Sequence, residues 1–168
     1  MGPLPARHLG ELQRDRISLA VPWTTDRVSR DATDEADTAR VRSIRLARLD
    51  GADRLVLEFD STDAVPGYEA RTTLEPVPLC ASGDSMTAEG EGLLTLKLDN
   101  ALVSDAVAAE GAPAPDALDN IRGLRLACTR AGAVEWVLDV RRATYYRIVE
   151  AWGPPRLLVD VMHWQGAP

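Results

Sequence analysis

The sequence predicts an all-β fold, a two-sheet antiparallel β-sandwich of about seven to eight strands, with a largely irregular N-terminal tail. Two observations support this prediction. From residue 41 onwards, short runs of alternating apolar and polar residues follow one another, and clusters of Gly, Pro, Asp or Asn separate them. The three- and four-residue spacing of an amphipathic helix occurs only weakly, near residues 101–109, which disfavours a parallel sheet covered by helices.

The first 40 residues are expected to form a polar linker or tail. The stretch 24–40 (TTDRVSRDATDEADTAR) contains eight charged residues and a single large aliphatic residue, Val28. Such a composition buries too little apolar surface to offset the entropy lost on ordering. The Pro22-Trp23 pair, an aromatic patch next to a proline, could dock on the folded body. We therefore expect the domain to occupy residues 41–165.

Alternation defines seven strands within the domain. The stretch GADRLVLEFD, at residues 51–60, places Leu55, Leu57 and Phe59 on one face and acidic residues on the other. The same period of two recurs around residues 68–74, 94–98, 124–129, 134–140, 145–150 and 157–161. The insert EGAPAPDALDN, at residues 110–120, is rich in Pro, Ala and Asp and is expected to form an exposed loop.

Composition limits the classes of partner. The 168 residues suffice for one domain with its own hydrophobic core. The 19 basic and 26 acidic residues give a net charge of −7, which argues against nucleic acid as a partner, because a nucleic-acid-binding surface must neutralise phosphates. Residues 121–168 contain seven basic and four acidic residues. The excess of basic residues either attracts an anionic partner or only places arginines on the solvent-exposed faces of the strands.

Membrane and export signals are not visible in the residues. No apolar run approaches the ~18 residues of a membrane helix, so no transmembrane segment is predicted. The first residues (MGPLPARHLGELQRDR) lack the apolar core of a signal peptide. The residues by themselves leave open a cytoplasmic protein and an exported protein whose leader has been removed.

The usual signatures of catalysis are absent from the sequence. Lys97, the only lysine, is not followed by Ser or Thr, as a phosphate-binding loop requires. His8 and His163 are 155 positions apart with Cys80 and Cys128 isolated between them, unlike the closely spaced ligands of a zinc site. We therefore predict no catalytic residue, no cofactor and no metal site. An enzyme that uses paired acids or His163 remains an alternative function. Such an enzyme would need a deep pocket that brings ionisable groups together.

Asp160 is the acidic residue that the pattern singles out. It lies between Leu158 and Met162 on one face of the last predicted strand, where it would be at least partly covered. A lone buried carboxylate is costly, so it should have a cationic partner. We predict a structural ion pair with an arginine such as Arg54, and contact with a ligand is the alternative.

The two cysteines allow two interpretations. A disulfide between Cys80 and Cys128 would close a loop of about 49 residues and stabilise the fold by roughly 4 kcal/mol through the chain entropy of the unfolded state. Two buried free thiols are the other interpretation, because cysteine is among the most frequently buried residues. Composition alone does not separate them.

A family resemblance rests on five stretches in a fixed order. They are GADRLVLEFD (51–60), PGYEAR (66–71), GLLTLKLDNA (92–101), NIRGLRLACTRAGAVEWVLDV (120–140) and YYRIVEAWGPPRLLVDVMH (145–163). Together they resemble the AMIN-like domain of bacterial envelope proteins, over about residues 40–164. The resemblance implies a non-catalytic β-sandwich of secreted proteins or lipoproteins, and hence an extracytoplasmic location. It also favours the disulfide between Cys80 and Cys128.

This sequence departs from the family pattern in two respects. It shows no leader and no N-terminal cysteine for lipidation, and it carries no attached enzyme domain. The expectation of export therefore comes from the resemblance, and the resemblance does not explain what such a domain would target.

The resemblance also suggests a function. The related AMIN domain is attached to envelope enzymes and directs them to the cell wall, which implies a cell-envelope binding module here. The expected partner is peptidoglycan or another cell-wall glycan. The alternative is an envelope protein, bound without glycan through a sheet edge or the insert at residues 110–120. The candidate ligand-binding residues are Arg141, Arg142, Tyr146, Arg147 and Trp152.

Overall fold

Strands form most of the described part of the chain, as the alternating sequence predicts. The computed structural model describes residues 21–31, 38–60, 64–110, 118–130 and 132–164. The strands found there are β1 (Val28–Arg30), β2 (Ala39–Arg48), β3 (Ala52–Asp60), β4 (Tyr68–Thr73), β5 (Val77–Pro78), β6 (Ser85–Met86), β7 (Gly92–Asp99), β8 (Ala101–Val103), β9 (Ile121–Arg130), β10 (Ala133–Val140), β11 (Tyr146–Ala151) and β12 (Arg156–Met162). One short helix, α1 (Asp105–Glu110), follows β8.

Ten of these strands build two five-stranded sheets. The first sheet has the order β1-β4-β7-β10-β9, and the second has the order β11-β12-β3-β2-β8. Neighbouring strands are antiparallel except for the short parallel pair of β2 and β8. The two sheets pack face to face, which confirms the predicted antiparallel β-sandwich.

The period of two places apolar side chains between the two sheets. In β3 the buried positions alternate with partly exposed ones, and Leu55, Leu57 and Phe59 are buried in the core. The first sheet contributes fully buried side chains from β7 and β10 to the same core, and Trp136 is the largest of them. Burial of each large apolar side chain stabilises the fold by about 1.5–3 kcal/mol, so this interface supplies the main driving force.

A second, smaller apolar core covers the outer face of the first sheet. It is formed by Val77, Leu79, Met86, Leu93, Ala127 and Val137. The hairpin of β5 and β6 packs on the first sheet and contributes Val77 and Met86 to this second core. The disulfide between Cys80 and Cys128 joins the turn of that hairpin to β9. The backbone amide of Cys80 also donates to the carbonyl of Ala127 at 2.9 Å. Of the two interpretations of the cysteines, the structure therefore has the disulfide.

Residues 21–30, which we call the strap, belong to the sandwich and correct the expectation of an irregular tail for this part of residues 1–40. Thr24 exchanges two backbone hydrogen bonds of 2.9 Å with Tyr146, at the edge of the second sheet. Strand β1 then pairs with β4 at the edge of the first sheet. Backbone pairing with free strand edges needs no apolar side chains, so a count of apolar residues misses it. Residues 1–20 and 32–37 lie outside the described residues.

The weak helical spacing near residues 101–109 corresponds to two elements. Residues 101–103 form β8, and α1 begins after Ser104, whose hydroxyl accepts a hydrogen bond from the amide of Val107 at 3.2 Å. This contact is that of an N-cap. Most of the insert predicted as a loop at residues 110–120 lies outside the described residues.

Candidate functional site

Several loops meet at one end of the sandwich, where β10 ends and β11 begins. Because neighbouring strands are antiparallel, β3, β9 and β11 begin at this end while β10 and β12 finish there. We call it the hub end. Its loops are residues 49–51, 88–91, 118–120, 141–145 and 163–164.

Asp53 is the buried anion of the hub end. It has no exposed surface, and its carboxylate accepts hydrogen bonds from the backbone amides of Asn120 (2.6 Å), Ile121 (3.0 Å) and Asp119 (3.2 Å). His163 Nε2 lies 3.0 Å from Asp53 Oδ1. Burial raises the pKa of Asp53, but the three amides and His163 together outweigh burial, so the pKa lies below its usual value. The carboxylate therefore stays charged and holds the start of β9.

Asn120 continues this network into the loop at residues 141–145. Its side-chain amide donates to the carbonyls of Arg142 and Met162, both at 3.1 Å, and its Oδ1 accepts from the amide of Arg142 at 2.8 Å. Its own carbonyl accepts from the amide of Arg141 at 2.8 Å. Asn120 is fully buried, so each of these bonds would be costly to lose. The Asp53–Asn120 network thus fixes the loop to the ends of three strands.

Glu91 holds the same loop from the other side. Its carboxylate accepts from the amide of Ala143 at 2.8 Å and from Arg142 Nη1 at 3.1 Å. The Ala143 amide and then Arg142 lower the pKa of Glu91 below its usual value. The neighbouring Gly90 is packed so tightly that an added Cβ would lie 2.1 Å from the carbonyl oxygen of Val140, which leaves room for no other residue.

A cleft of about 350 Å³ opens between this loop and the strap. Its lining is Thr25, Thr72, Leu94, Val140, Ala143, Thr144, Tyr145, Tyr146 and Val161. Three threonines bring hydroxyl groups, four residues bring aliphatic surface, and Tyr145 is 51% exposed at the rim. Among the residues that the structure describes, no acidic or basic side chain lines the cleft. The arrangement suits a neutral ligand that has both apolar faces and hydroxyl groups.

Tyr146 lies at the base of the cleft and is part of the core. It is 1% exposed, and its hydroxyl donates to the carbonyl oxygens of Asp26 and Ala70. Burial raises the pKa of Tyr146 to about 12, so the phenol remains neutral. Its hydrogen bonds join the strap to β4 and leave the hydroxyl with no free role toward a ligand.

The structure divides the five candidate ligand-binding residues. Arg141 and Arg142 are exposed in the loop beside the cleft. Tyr146 and Arg147 are buried. The exposed tyrosine at this position is the neighbouring residue, Tyr145. Trp152 is 57% exposed, but it follows the last residue of β11, whereas Tyr145 precedes the first. Six strand residues separate the two rings by roughly 20 Å.

A second exposed ring stands near the loop. Trp164 follows β12, and its backbone amide donates to Asp119 Oδ2 at 3.3 Å. The guanidinium carbon of Arg142 lies 5.7 Å from the centre of the Trp164 ring, within the range of a cation–π contact. The hub end therefore presents Tyr145, Arg141, Arg142 and Trp164 together, and Trp152 apart from them.

Asp160 is fully buried and bound by two arginines. Arg54 Nε lies 2.7 Å and Arg54 Nη2 lies 2.9 Å from its two oxygens, and Arg147 Nε lies 3.0 Å away. The strand register explains this arrangement, because Arg54, Asp160 and Arg147 face one another on β3, β12 and β11. The ion pair is structural, and it places the guanidinium of Arg147 over the ring of Trp23 at 4.2 Å.

Among the described residues, no group of three or more His, Cys, Asp or Glu side chains is placed to hold a metal ion. The contact between His163 and Asp53 lies outside the lining of the cleft. No helix in the described part of the chain is long and apolar enough to cross a membrane.

Sequence reasoning missed Asp53, Asn120, Glu91 and the three threonines. A signal for Asp53 is present, because the alternation that places Leu55 and Leu57 inward places Asp53 on the same apolar face. An acid in an apolar series indicates a buried polar contact. The partners of Asp53 are 66 to 110 positions away in the chain, and the alternation within one strand carries no information on them.

One comparison with known proteins identifies the family of the chain. A family model described as the AMIN-like domain matches residues 39–163. No curated protein and no solved structure matches the chain. The family match covers both sheets except β1, and such domains suggest an envelope-associated protein. The chain therefore belongs to the AMIN-like domain family.

Proposed function

We propose that this protein is a non-catalytic cell-envelope module that binds a cell-wall glycan, such as peptidoglycan, in the cleft at the hub end. The observation that carries the proposal is the lining of this cleft, in which the described residues are a half-exposed tyrosine, three threonines and aliphatic residues, with no charged residue among them. A sugar ring has the matching chemistry, with apolar C–H faces that stack on aromatic rings and hydroxyl groups that donate and accept hydrogen bonds.

The rigidity of the loop at residues 141–145 supports this proposal. Binding costs free energy when loops and side chains must be ordered on contact with the ligand. Here the Asp53–Asn120 network and Glu91 hold the loop through buried or charge-assisted hydrogen bonds before any ligand arrives. Tyr145 is therefore presented at a fixed position, which lowers the cost of binding.

An extracytoplasmic location is part of the same proposal. The disulfide between Cys80 and Cys128 supports it, because such bonds persist in oxidising compartments outside the cytosol. The family membership, which implies an envelope-associated protein, supports it independently.

A test compares retention of two variants on purified cell-wall sacculi. We expect Tyr145→Ala to weaken retention about tenfold, since an aromatic stacking contact is worth about 0.5–1.5 kcal/mol and its apolar area adds to this. Trp152→Ala is the matched control, because Trp152 is exposed to a similar degree at the other end of β11. It should bind like the unmodified protein. Failure of the unmodified protein to bind sacculi at low salt would contradict the proposal.

An envelope protein is the second candidate partner. A separate cleft of about 350 Å³ lies beside β8, β9 and β10, and Leu102 on its wall is 52% exposed. An exposed aliphatic residue next to a short edge strand is typical of a protein contact. Affinity for an envelope protein that survives removal of glycan and is lost in Leu102→Ser would favour this candidate.

A further inference from the structure

The strap lies outside the part of the chain that the family model matches, which begins at residue 39. We infer that the strap is nevertheless part of the ligand site, with Thr25 as a specificity-determining residue whose contact with the ligand is coupled to docking of the strap. The inference rests on the proposed function, because it requires a ligand in the cleft at the hub end. It adds to that function a specific contact, between Thr25 and the ligand, and a dependence of binding on docking of the strap.

The first observation is that the strap bridges both sheets beside the cleft. Thr24 pairs with Tyr146 on the edge of the second sheet, through amide–carbonyl bonds of 2.9 Å in both directions. A few residues later, Val28 pairs with Ala70 on the edge of the first sheet. Thr25 lies between these two attachments and is one of the residues that line the cleft.

The second observation is that anchors hold the strap on both sides of Thr25. On one side the ring of Trp23 lies under the guanidinium of Arg147 at 4.2 Å. On the other side the carbonyl of Asp26 accepts a hydrogen bond from the buried hydroxyl of Tyr146, and Arg27 forms an ion pair of 2.6 Å with Glu69. Thr25 is therefore held in place although it is itself exposed.

Thr25 lines the cleft together with two other threonines. Thr72 of β4 and Thr144 of the loop line the same space, so residues with hydroxyl groups border the cleft from the strap, the first sheet and the loop. A hydroxyl can both donate and accept, which matches the hydroxyl groups of a sugar. Without the strap, the cleft would keep its loop wall and its base but lose the wall that Thr25 provides.

Coupling follows from this geometry. A ligand that touches both Thr25 and Tyr145 binds the docked strap more tightly than the undocked one, so it must shift the docking equilibrium toward the docked state. The strap is a suitable element for such coupling, because β1 has only three residues and the ion pair of Arg27 with Glu69 is exposed. Short elements with few fully buried side chains open locally more readily than the core.

The experiment measures the affinity of soluble glycan strands released from purified sacculi, together with hydrogen exchange. We expect Thr25→Val, which keeps the shape and removes the hydroxyl, to bind about fivefold more weakly. Thr25→Ser keeps the hydroxyl and should bind like the unmodified protein. Saturating glycan should slow exchange at the amides of Thr24 and Tyr146, which hydrogen-bond to each other's carbonyls. Thermal unfolding of both variants checks that the fold is retained.

The outcomes separate the two proposals. If Thr25→Val binds glycan as well as the unmodified protein while Tyr145→Ala binds weakly, the inference on the strap is wrong and the proposed function stands. Unchanged exchange at Thr24 and Tyr146 on saturation would overturn the coupling. If neither Thr25→Val nor Tyr145→Ala changes the affinity, the cleft is not the glycan site and both proposals fail.

Discussion

Asp53 and Asp160 are two fully buried carboxylates on neighbouring strands of the same sheet, and the protein neutralises them in different ways. Their positions are adjacent, since Asp160 pairs with Arg54 and Val161 pairs with Asp53 across β12 and β3. Their side chains point to opposite faces. Asp53 shares the inner face of Leu55, whereas Asp160 shares the outer face of Arg54.

The difference lies in the donors. Asp160 is bound by two guanidinium groups from adjacent strands, so opposite charges balance it within the sheet. Asp53 is bound by three neutral backbone amides and His163, all from segments at the hub end. Charge pairing therefore joins strands on the outer face, while fixed backbone dipoles at the hub end hold loops.

Each network supports one wall of the cleft. The Asp53–Asn120 network fixes the loop that carries Tyr145, and the Asp160–Arg147 pair positions the guanidinium against which Trp23 of the strap stacks. Buried polar groups are costly, and a solid apolar sandwich would be stable without them. Their placement behind the two walls indicates that they serve the geometry of the cleft as well as the stability of the fold.

The largest effect is expected for Asp53→Ala. The substitution leaves the amides of Asp119, Asn120 and Ile121 without their acceptor in a buried site, and each unsatisfied donor costs about 1–3 kcal/mol. We expect the free energy of unfolding to fall by about 3–5 kcal/mol, measured by urea denaturation. Retention on sacculi should fall as well, because the loop is released. A loss below about 1 kcal/mol would show that the network adds little to the fold.

Asp160→Ala should have a smaller effect on stability. It leaves the guanidinium groups of Arg54 and Arg147 close together without their shared counter-charge, but both retain some contact with water and can reorient. We expect a loss of about 2–3 kcal/mol in the free energy of unfolding. Glu69→Ala, which removes the exposed partner of Arg27, is the control and should cost less than about 1 kcal/mol. A larger loss for Asp160→Ala than for Asp53→Ala would reverse the comparison.

The two networks could be predicted from the sequence to different extents, because the hydrogen-bond partners of Asp160 and Asp53 lie in different parts of the fold. The alternation of the last strand placed Asp160 on a covered face and suggested Arg54, because cross-strand partners follow from register within a sheet. The contacts of Asp53 were not predicted, since its partners come from loops whose approach depends on how the strands end. The seven predicted strands are present. Of the other five strands in the described residues, β1, β5, β6 and β8 are too short to show a period, and β2 was missed although it has ten residues, because a register shift between Val41 and Ser43 interrupts its alternation.

The candidate site was predicted less well than the fold. Alternation places Tyr145 and Tyr146 on opposite faces, but it does not indicate which face is covered, and Tyr146 proved to be the buried one. Trp152 and the arginines were predicted together as ligand-binding residues, although the length of β11 separates Trp152 from Arg141 and Arg142. The threonines of the cleft come from the strap, β4 and a loop, and only the assembled sandwich brings them together.

The smallest expected effect is the contribution of Asp53 to the pH dependence of the free energy of unfolding. This effect tests directly how the carboxylate is stabilised. Its pKa is lowered in the folded protein, so its stabilising contribution is fully present above the ordinary carboxyl value of 3.8 and is lost as the pH falls through the folded value. The difference in free energy of unfolding between the unmodified protein and Asp53→Asn should therefore be constant near neutral pH and shrink below about pH 4. Urea denaturation across this range measures it, and the variant serves as the reference because the lowered pKa of Glu91 affects both proteins alike. A difference that stays constant at acid pH would mean that the amides at the hub end bind the neutral side chain as well as the anion.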